Sequence, residues 1–233
     1  MKPHHTLAVR LSFVILFLAA TLTAQEPAAQ PAAPAAPQAP ALEIIKLDTP
    51  RLDAGVPTMQ ALKQRRSERK LAETKLSKQQ LSEVLWAADG VNREDGHRTA
   101  PSAMGKFPVD IYVVLEEGVY LYSPAKHELA PVAQGDFRKQ AGTQDYVYTA
   151  PLNLVYVADY DKFADVKDAT AEKKAEWACM EVGSQSENVY FYCASEGLAT
   201  VFRVSIDKEQ FGNVIQLRPS QSVIAAQTVG NTK

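Results

Sequence analysis

The chain has few of the residues on which several common kinds of functional site depend. It contains 2 cysteines and 4 histidines in 233 residues, too few for a disulfide framework or a zinc site of four thiolates. Its 25 basic and 27 acidic residues give a net charge of -2, without the basic excess typical of nucleic-acid binding. No G-x-G-x-x-G sequence for a nicotinamide dinucleotide is present. We therefore expect a folded protein that binds neither nucleic acid nor a metal ion.

The first 24 residues have the pattern of an export signal. Lys2 and Arg10 supply positive charge, the apolar run LSFVILFLAA follows at 11–20, and small residues lead up to a cleavage point near Ala24. The run is shorter than the roughly 20 apolar residues that cross a bilayer, although an uncleaved anchor helix is the alternative. We expect a periplasmic or otherwise extracytoplasmic protein, with no stable membrane span after cleavage.

The next segment, residues 25–41, consists largely of proline and alanine. Proline removes the hydrogen-bond donors that helices and sheets need, and alanine offers little apolar surface for a core. This composition predicts a semi-extended linker. The remaining residues, 42–233, are enough for one domain with a single core.

The predicted domain mixes helices and strands without a regular alternation, which favours an α+β fold over a doubly wound parallel sheet. Ser77 and Gln80 form a capping box that starts a helix through Asp89, and Gly90 is its expected stop. A second, long helix is predicted at 171–197. Strands are predicted at 109–115, 119–122, 152–158 and 224–229.

The two cysteines fall on the long predicted helix. Cys179 and Cys193 are 14 residues apart, or ~21 Å along a helix. A disulfide requires Cα atoms within about 7 Å, so a bridge would need the helix to break, for example at Gly183. We interpret both as small buried apolar residues. A nucleophilic cysteine is the alternative.

Two segments have the composition of a ligand site. In the first, Arg65, Arg66 and Arg69 surround Ser67, and forked guanidinium donors with a hydroxyl match the oxygens of a phosphate. The alternative is a solvated basic face. In the second, the small residues of 98–105 (RTAPSAMG) form an irregular loop whose backbone amides can approach a flat ligand. An ordinary surface loop is the alternative.

Together these segments resemble the nitroreductase family, and within it the azoline-dehydrogenase branch of SagB-type thiazoline oxidases. The similarity extends over most of the domain, from about Thr58 to the C-terminus. The segments that carry it are RRSERKL (65–71), LSEVLWAADGVNR (81–93), RTAPSAMGKFPVDIYVV (98–114), VYLYSPAKHEL (119–129), APLNLVYVADY (150–160), EVGSQSENVYFYCASEGLATV (181–201) and AQTVGNTK (226–233).

The resemblance implies an antiparallel-type central sheet flanked by helices, an intertwined homodimer, and FMN bound at the subunit interface. It places FMN contacts at several positions of this chain. Phosphate and ribityl contacts would come from Arg65, Arg66, Ser67 and Arg69, whereas Pro101, Ser102, Ala103 and Gly105 would reach the flavin of the other subunit. Asn188 stands at an amide position of the interface helix, Gly197 and Leu198 end that helix beside the ring, and Lys233 is either a further phosphate contact or a frayed terminus.

The chain also departs from the family pattern. Glu187 replaces a common glutamine, and Phe202-Arg203-Val204 replaces an apolar stretch with a glycine that would let backbone approach the flavin. The branch uses a lysine–tyrosine pair, for which Lys139 with Tyr146 or Tyr148 are the candidates. The resemblance does not identify the catalytic residues, which stay unassigned.

The implied function is FMN-dependent oxidoreduction outside the cytoplasm, with hydride transfer to or from a small electron-poor or heterocyclic substrate. The alternative is a flavin- or ligand-binding envelope module without turnover. The substrate is open, and so is the electron donor, which could be a nicotinamide, a quinone or a protein.

Overall fold

The computed structural model describes residues 41–233. The predicted export signal, and the predicted linker up to residue 40, lie outside these residues and stay predictions. No helix among the described residues is long and apolar enough to cross a membrane.

An antiparallel sheet forms the centre of the described domain. Its strands are β1 (Ile45–Lys46), β2 (Val109–Val114), β3 (Gly118–Ser123), β4 (Glu128–Gln134), β5 (Leu152–Asp159), β6 (Leu198–Arg203) and β7 (Gln221–Asn231). They lie in the order β1-β4-β3-β2-β5-β7-β6, and each neighbouring pair is antiparallel. The predicted α+β class with an antiparallel central sheet is confirmed.

Helices cover both faces of this sheet. They are α1 (Thr58–Gln64), α2 (Lys78–Asp89), α3 (Asp145–Thr149), α4 (Ala171–Glu196) and α5 (Lys208–Val214), with 3₁₀ turns at Ala103–Gly105, Arg138–Ala141 and Tyr160–Phe163. Along β2 the side chains alternate, so that Ile111 packs with α2 and α4 whereas Tyr112 packs with α3 and α5. The domain is therefore a sheet between two helical layers, and α4 is its longest element.

The local signals in the sequence place the two long helices correctly. The capping box of Ser77 and Gln80 starts α2, and α4 ends at Gly197, whose φ of 71° is left-handed. Gly90 ends α2 in an extended conformation with φ of -69°. Glycine is needed there because a Cβ would overlap the Trp86 ring. Gly90 therefore acts through close packing and not through a left-handed cap.

The cysteine interpretation is half right. The helix continues through Gly183, and both Cys179 and Cys193 are free. Cys193 is buried in the core between α4 and the sheet, as expected. The expectation of burial is wrong for Cys179, which is exposed because its position turns away from the sheet.

The residues before α1 form a strap across the domain. This N-terminal strap, residues 44–56, begins as β1 beside β4 and then crosses α2 and α4. Arg51 Nε donates to Glu83 Oε1 of α2 at 2.7 Å, and Val56 N donates to Ser195 Oγ of α4 at 2.7 Å. These contacts fix the chain on the helical layer just before α1, which leads into the arginine-rich segment.

Candidate functional site

The arginine-rich segment lies where α1, β6 and the C-terminus meet. After α1 the chain turns at Arg65 into an extended course, and Glu68 N donates to Thr200 O of β6 at 2.9 Å. Leu71 forms a bridge with Thr232, and Lys233 N donates to Lys70 O at 3.2 Å. The fold therefore brings the predicted contacts of residues 65–69 together with Gly197, Leu198 and Lys233.

Tyr190 of α4 holds this cluster together. Its hydroxyl lies 2.7 Å from Ser67 Oγ and accepts from Phe202 N at 2.8 Å. The Arg65 guanidinium lies 5.0 Å from the centroid of the Tyr190 ring, within the range of a cation–π contact. Tyr190 is thus the site residue that sequence analysis missed. Nothing distinguishes it locally from Tyr192, because its contacts depend on residues far away in the chain.

A cavity of about 200 Å³ opens beside Tyr190. Arg66 and Glu68 border it on one side, and Tyr190, Gly197 and Leu198 on the other. Sites that enclose a cofactor usually measure about 300–1,000 Å³. The cavity therefore encloses only part of a ligand as large as a mononucleotide.

The arginines at this cavity are only weakly paired. Arg65 Nε lies 3.8 Å from Glu187, and Arg66 Nε lies 3.8 Å from Glu68. Both pairs are open to solvent, where such contacts contribute little. The Glu68 carboxylate accepts from the backbone amides of Lys70 and Arg69, which lowers its pKa. Most guanidinium donors therefore remain free to bind an anion.

The predicted loop of Pro101, Ser102, Ala103 and Gly105 lies near another part of α4. Glu181, which contacts the backbone at the end of this loop, precedes Tyr190 by nine residues, or ~14 Å of helix. Within one chain the structure does not bring the loop and the arginine segment together. Contribution of the loop to the flavin of a second subunit stays a prediction.

Asn188 lies in a different cavity. This second cavity has a volume of about 350 Å³ and lies between the N-terminal strap, α2 and α4. Trp86, Phe191 and Tyr192 contribute its aromatic walls. Asn188 therefore does not line the cavity beside Tyr190, and its predicted cofactor contact stays a prediction.

The candidate lysine–tyrosine pair is on the opposite side of the sheet. Tyr146 and Tyr148 pack into the core formed with α3 and α5, and Lys139 is exposed. The cavity beside Tyr190 lies on the α4 side instead. Within one chain these residues do not approach the arginine segment.

The side chains of Phe202, Arg203 and Val204, at the end of β6 and just after it, lie on different sides of the sheet. Phe202 packs on the α4 side with Tyr156, whereas Arg203 is buried on the other face and Val204 is exposed. Arg203 donates to Asn153 Oδ1 and Thr228 Oγ1, each at 3.0 Å. The arginine that departs from the family pattern therefore stabilises the far side of the sheet and does not enter the cavity.

Three comparisons agree on the family. The nitroreductase family model matches residues 62–231. A protein of Methanocaldococcus jannaschii, provisionally named a nitroreductase, is 34% identical over 147 residues, which cover 59% of this chain and 73% of the relative. A crystal structure from Ralstonia eutropha JMP134, provisionally assigned as a nitroreductase, is 37% identical with a TM-score of 0.75, covering 82% of this chain and 90% of that one.

A more distant structure shares the fold. The NADPH:FMN oxidoreductase of Vibrio harveyi, complexed with NAD⁺, is 20% identical with a TM-score of 0.55, covering 76% of this chain and 69% of that one. The family model spans most of the described domain, from the end of α1 to the end of β7. The chain therefore belongs to the nitroreductase family, a family of oxidoreductases.

Proposed function

We propose that the protein is an FMN-dependent oxidoreductase that works as a homodimer outside the cytoplasm. The observation on which this rests is the cluster of Arg65, Arg66, Ser67 and Arg69 beside a partial cavity at the end of α4: Arg66 lines the cavity, and Arg65 and Ser67 contact Tyr190 in its wall. Family membership supports oxidoreductase chemistry, and the Vibrio harveyi enzyme of the same fold is an FMN oxidoreductase.

The residues at the cluster fit the phosphate end of FMN. A phosphate dianion needs charge-assisted donors, and each such bond contributes roughly 1.5–3 kcal/mol. Arg65 is held in place by its stacking on Tyr190, and the Ser67 hydroxyl is oriented by the Tyr190 hydroxyl. Because contacts within the protein hold both side chains, little side-chain ordering remains to be done on binding.

Two features support a second copy of the chain at this site. The cavity beside Tyr190 is smaller than FMN requires, so further walls are needed. Large apolar side chains are exposed on α1, on the 101–105 loop and on α4, namely Met59, Leu62, Met104 and Met180. Apolar surface of this kind is typical of an interface. A partner subunit would cover it and add its own 101–105 loop to the cavity.

When bound, FMN supplies the hydride-transfer chemistry of its isoalloxazine ring. The protein binds the phosphate, orients the ring and excludes water. Arg65, Arg69 and Ser67 would fix the phosphate and ribityl chain, and Gly197 leaves room for the ring beside the end of α4. A buried thiol such as that of Cys193, whose pKa is raised by burial, is unsuited to act as a nucleophile.

We place the protein in the azoline-dehydrogenase branch on the strength of the segments quoted above. The expected substrate is a small electron-poor or heterocyclic compound. Because nicotinamide cofactors are confined largely to the cytoplasm, an exported enzyme would take its electrons from the substrate, a quinone or a partner protein. Export itself rests on the pattern of residues 1–24.

A flavin-binding module without turnover is the second candidate. The Phe202 amide lies in the segment where the family resemblance implies close backbone approach to the flavin, and it already donates to the Tyr190 hydroxyl at 2.8 Å. A flavin would have to displace this bond or do without that donor. This observation favours weak stabilisation of charge on the ring and therefore slow turnover.

The absorbance spectrum of the freshly isolated protein tests the proposal. Flavin bands that persist through gel filtration are expected, together with reduction by dithionite and reoxidation by a quinone or a nitroaromatic compound. Bound flavin that is not reoxidised would support the second candidate. Protein that lacks flavin bands and does not acquire them after incubation with FMN would contradict both.

A further inference from the structure

Unpartnered buried polar atoms are concentrated beneath the 98–107 loop. Among the described residues, six buried side-chain oxygens or nitrogens have no hydrogen-bond partner. Four of them belong to Asp89 at the end of α2 and to Glu181 and Gln185, one turn apart on α4. Asp89 and Glu181 are each 2% exposed, and Gln185 is fully buried. A buried polar group without a partner destabilises the folded state, so a concentration of such groups indicates a functional role.

The two carboxyl groups contact the loop at both of its ends. Asp89 pairs with Arg98, which begins the loop, and Arg98 lies 4.4 Å from the centroid of the Phe107 ring. Glu181 Oε1 accepts from Val109 N at 3.4 Å, just after the loop, and the Ser102 hydroxyl faces the same carboxyl group. The loop is therefore fastened to α2 and α4 through two acidic residues.

The loop held in this way has a strained backbone. Met104 has φ of 54° and Phe107 has φ of 47°, both in the left-handed region that side chains with a Cβ rarely adopt. Ser102 Oγ accepts from Phe107 N at 2.7 Å, which closes the loop on itself. Such strain persists only where surrounding contacts determine the conformation. Here Asp89 and Glu181 provide those contacts.

The charges around the two acids do not balance them completely. Arg98 offsets Asp89, but no cation among the described residues forms an ion pair with Glu181. The charge of Asp89 adds to the effect of burial on the pKa of Glu181. Burial raises the pKa of Glu181 to about 7 and that of Asp89 to about 6. Other titratable groups that face the pair are Lys162, Tyr122 and Tyr156. With Asp89 paired to Arg98, a proton on Glu181 removes the repulsion between the two carboxylates.

We propose that Asp89 and Glu181 form a buried acid pair that carries one proton when the 98–107 loop is ordered, so that loss of this proton loosens the loop. The proton comes from solvent and returns to solvent, and no other group changes. Gln185 is a fully buried neutral neighbour of Asp89, and its amide can either donate to a carboxylate or accept from a carboxylic acid. Both acids are positioning residues.

The pair would also link flavin binding to proton uptake, a step that rests on the proposed function. If the ordered loop of one subunit contacts the flavin of the other, only the protonated pair presents the binding-competent loop. FMN binding above neutral pH would then draw a proton into the pair, and affinity would fall as the pH rises. The loop itself responds to pH with or without flavin, so the two claims can be tested separately.

Amide hydrogen exchange of loop peptides covering 98–109 tests the pair in the protein as isolated. After correction for the intrinsic pH dependence of exchange, we expect protection of the wild-type loop to fall about tenfold between pH 6 and pH 8.5. Glu181→Gln, which carries a permanently neutral group, should keep the same protection at both pH values. Glu176→Gln is the control, because it changes an exposed carboxylate on the same helix.

Protection that stays constant in the wild type, or that still falls with pH in Glu181→Gln, would overturn the proposal. Should that variant fail to fold, Ser102→Ala serves instead. It leaves both acids in place and removes a hydroxyl that stabilises the charged Glu181 carboxylate. It should lower loop protection at pH 6 and move the fall of protection to higher pH than in the wild type. A fall of protection at the same pH as in the wild type would also refute coupling between the pair and the loop.

Calorimetry with FMN completes the test. At pH 8, in two buffers that differ in ionisation enthalpy, the wild type should take up a fraction of a proton on binding and Glu181→Gln should take up none. Equal uptake in both proteins would overturn the link to flavin. If FMN does not bind but the loop responds to pH as expected, the proposed function fails and the acid pair stands.

Discussion

Arg203 allows the cost of a buried substitution to be worked out from its contacts. It is 7% exposed and faces no carboxylate, since its donors go to Ala141 O, Asn153 Oδ1 and Thr228 Oγ1. Gly142 packs directly against the guanidinium, leaving no room for a Cβ. This residue ties β5, β6 and β7 to the turn before α3, so its replacement should destabilise the whole domain.

The expected cost of Arg203→Met is the difference between two effects. Losing the hydrogen bonds from the charged guanidinium to these three buried acceptors costs roughly 1.5–3 kcal/mol each, or about 6 kcal/mol together. Removing a buried cation returns part of this, because burial lowers the pKa of Arg203 from 12.5 to about 10. That shift corresponds to about 3 kcal/mol. We therefore expect a net loss of about 3 kcal/mol in the free energy of unfolding.

Urea unfolding followed by circular dichroism measures this loss. In a domain of this size the melting temperature should fall by about 6–12 °C. Arg93→Met is the matched control, since Arg93 is exposed and should change stability by less than about 0.5 kcal/mol. If Arg203→Met unfolds within 1 kcal/mol of the wild type, the buried network does not stabilise the sheet as we infer.

Two further predictions concern stability. The hydrogen bond from Arg51 lowers the pKa of Glu83 to about 2. The Glu83 carboxylate therefore stabilises the protein at neutral pH, and this contribution is lost as the pH falls from about 5 towards 2. Glu83→Gln should lower the free energy of unfolding by about 3 kcal/mol at pH 7 and make it depend less on pH between 5 and 2. An acid limb identical to that of the wild type would refute this. Gly197→Ala should cost about 1 kcal/mol in thermal unfolding, because Gly197 has φ of 71°; an unchanged melting temperature would show that the end of α4 relaxes without strain.

The sequence predicts the elements whose signals are local. Capping at Ser77 and the glycine after α4 mark the helices, and the nearly continuous apolar run of β5 marks a strand buried on both faces. Three strands were not predicted, of which β1 has only two residues and no pattern to read. In β4, Pro131 interrupts the pattern, and the structure accommodates it with an irregular register opposite Val119 and Tyr120. β6 was missed because it follows α4 directly, and only its pairing with β7 identifies it.

Some residues of the candidate site can be predicted from the sequence, and others are identified only by the structure. The arginines and Ser67 can be found from composition, since phosphate binding has a recognisable residue pattern. Tyr190 could not be found, because its contact with Ser67 joins residues 123 positions apart. The acid pair of Asp89 and Glu181 could not be predicted from the sequence either. A carboxylate in a helix is usually exposed, and only the packing of α2 against α4 buries these two.

A flavin titration of the variant that combines Arg65→Ala with Ser67→Ala tests the central claim most directly. Loss of these charge-assisted contacts should weaken FMN binding by about 3 kcal/mol, or roughly 100-fold or more, as measured by flavin fluorescence. Arg93→Ala should bind as the wild type does. Unchanged FMN affinity in the double variant, with the fold intact by circular dichroism, would contradict the account that this cluster binds the cofactor.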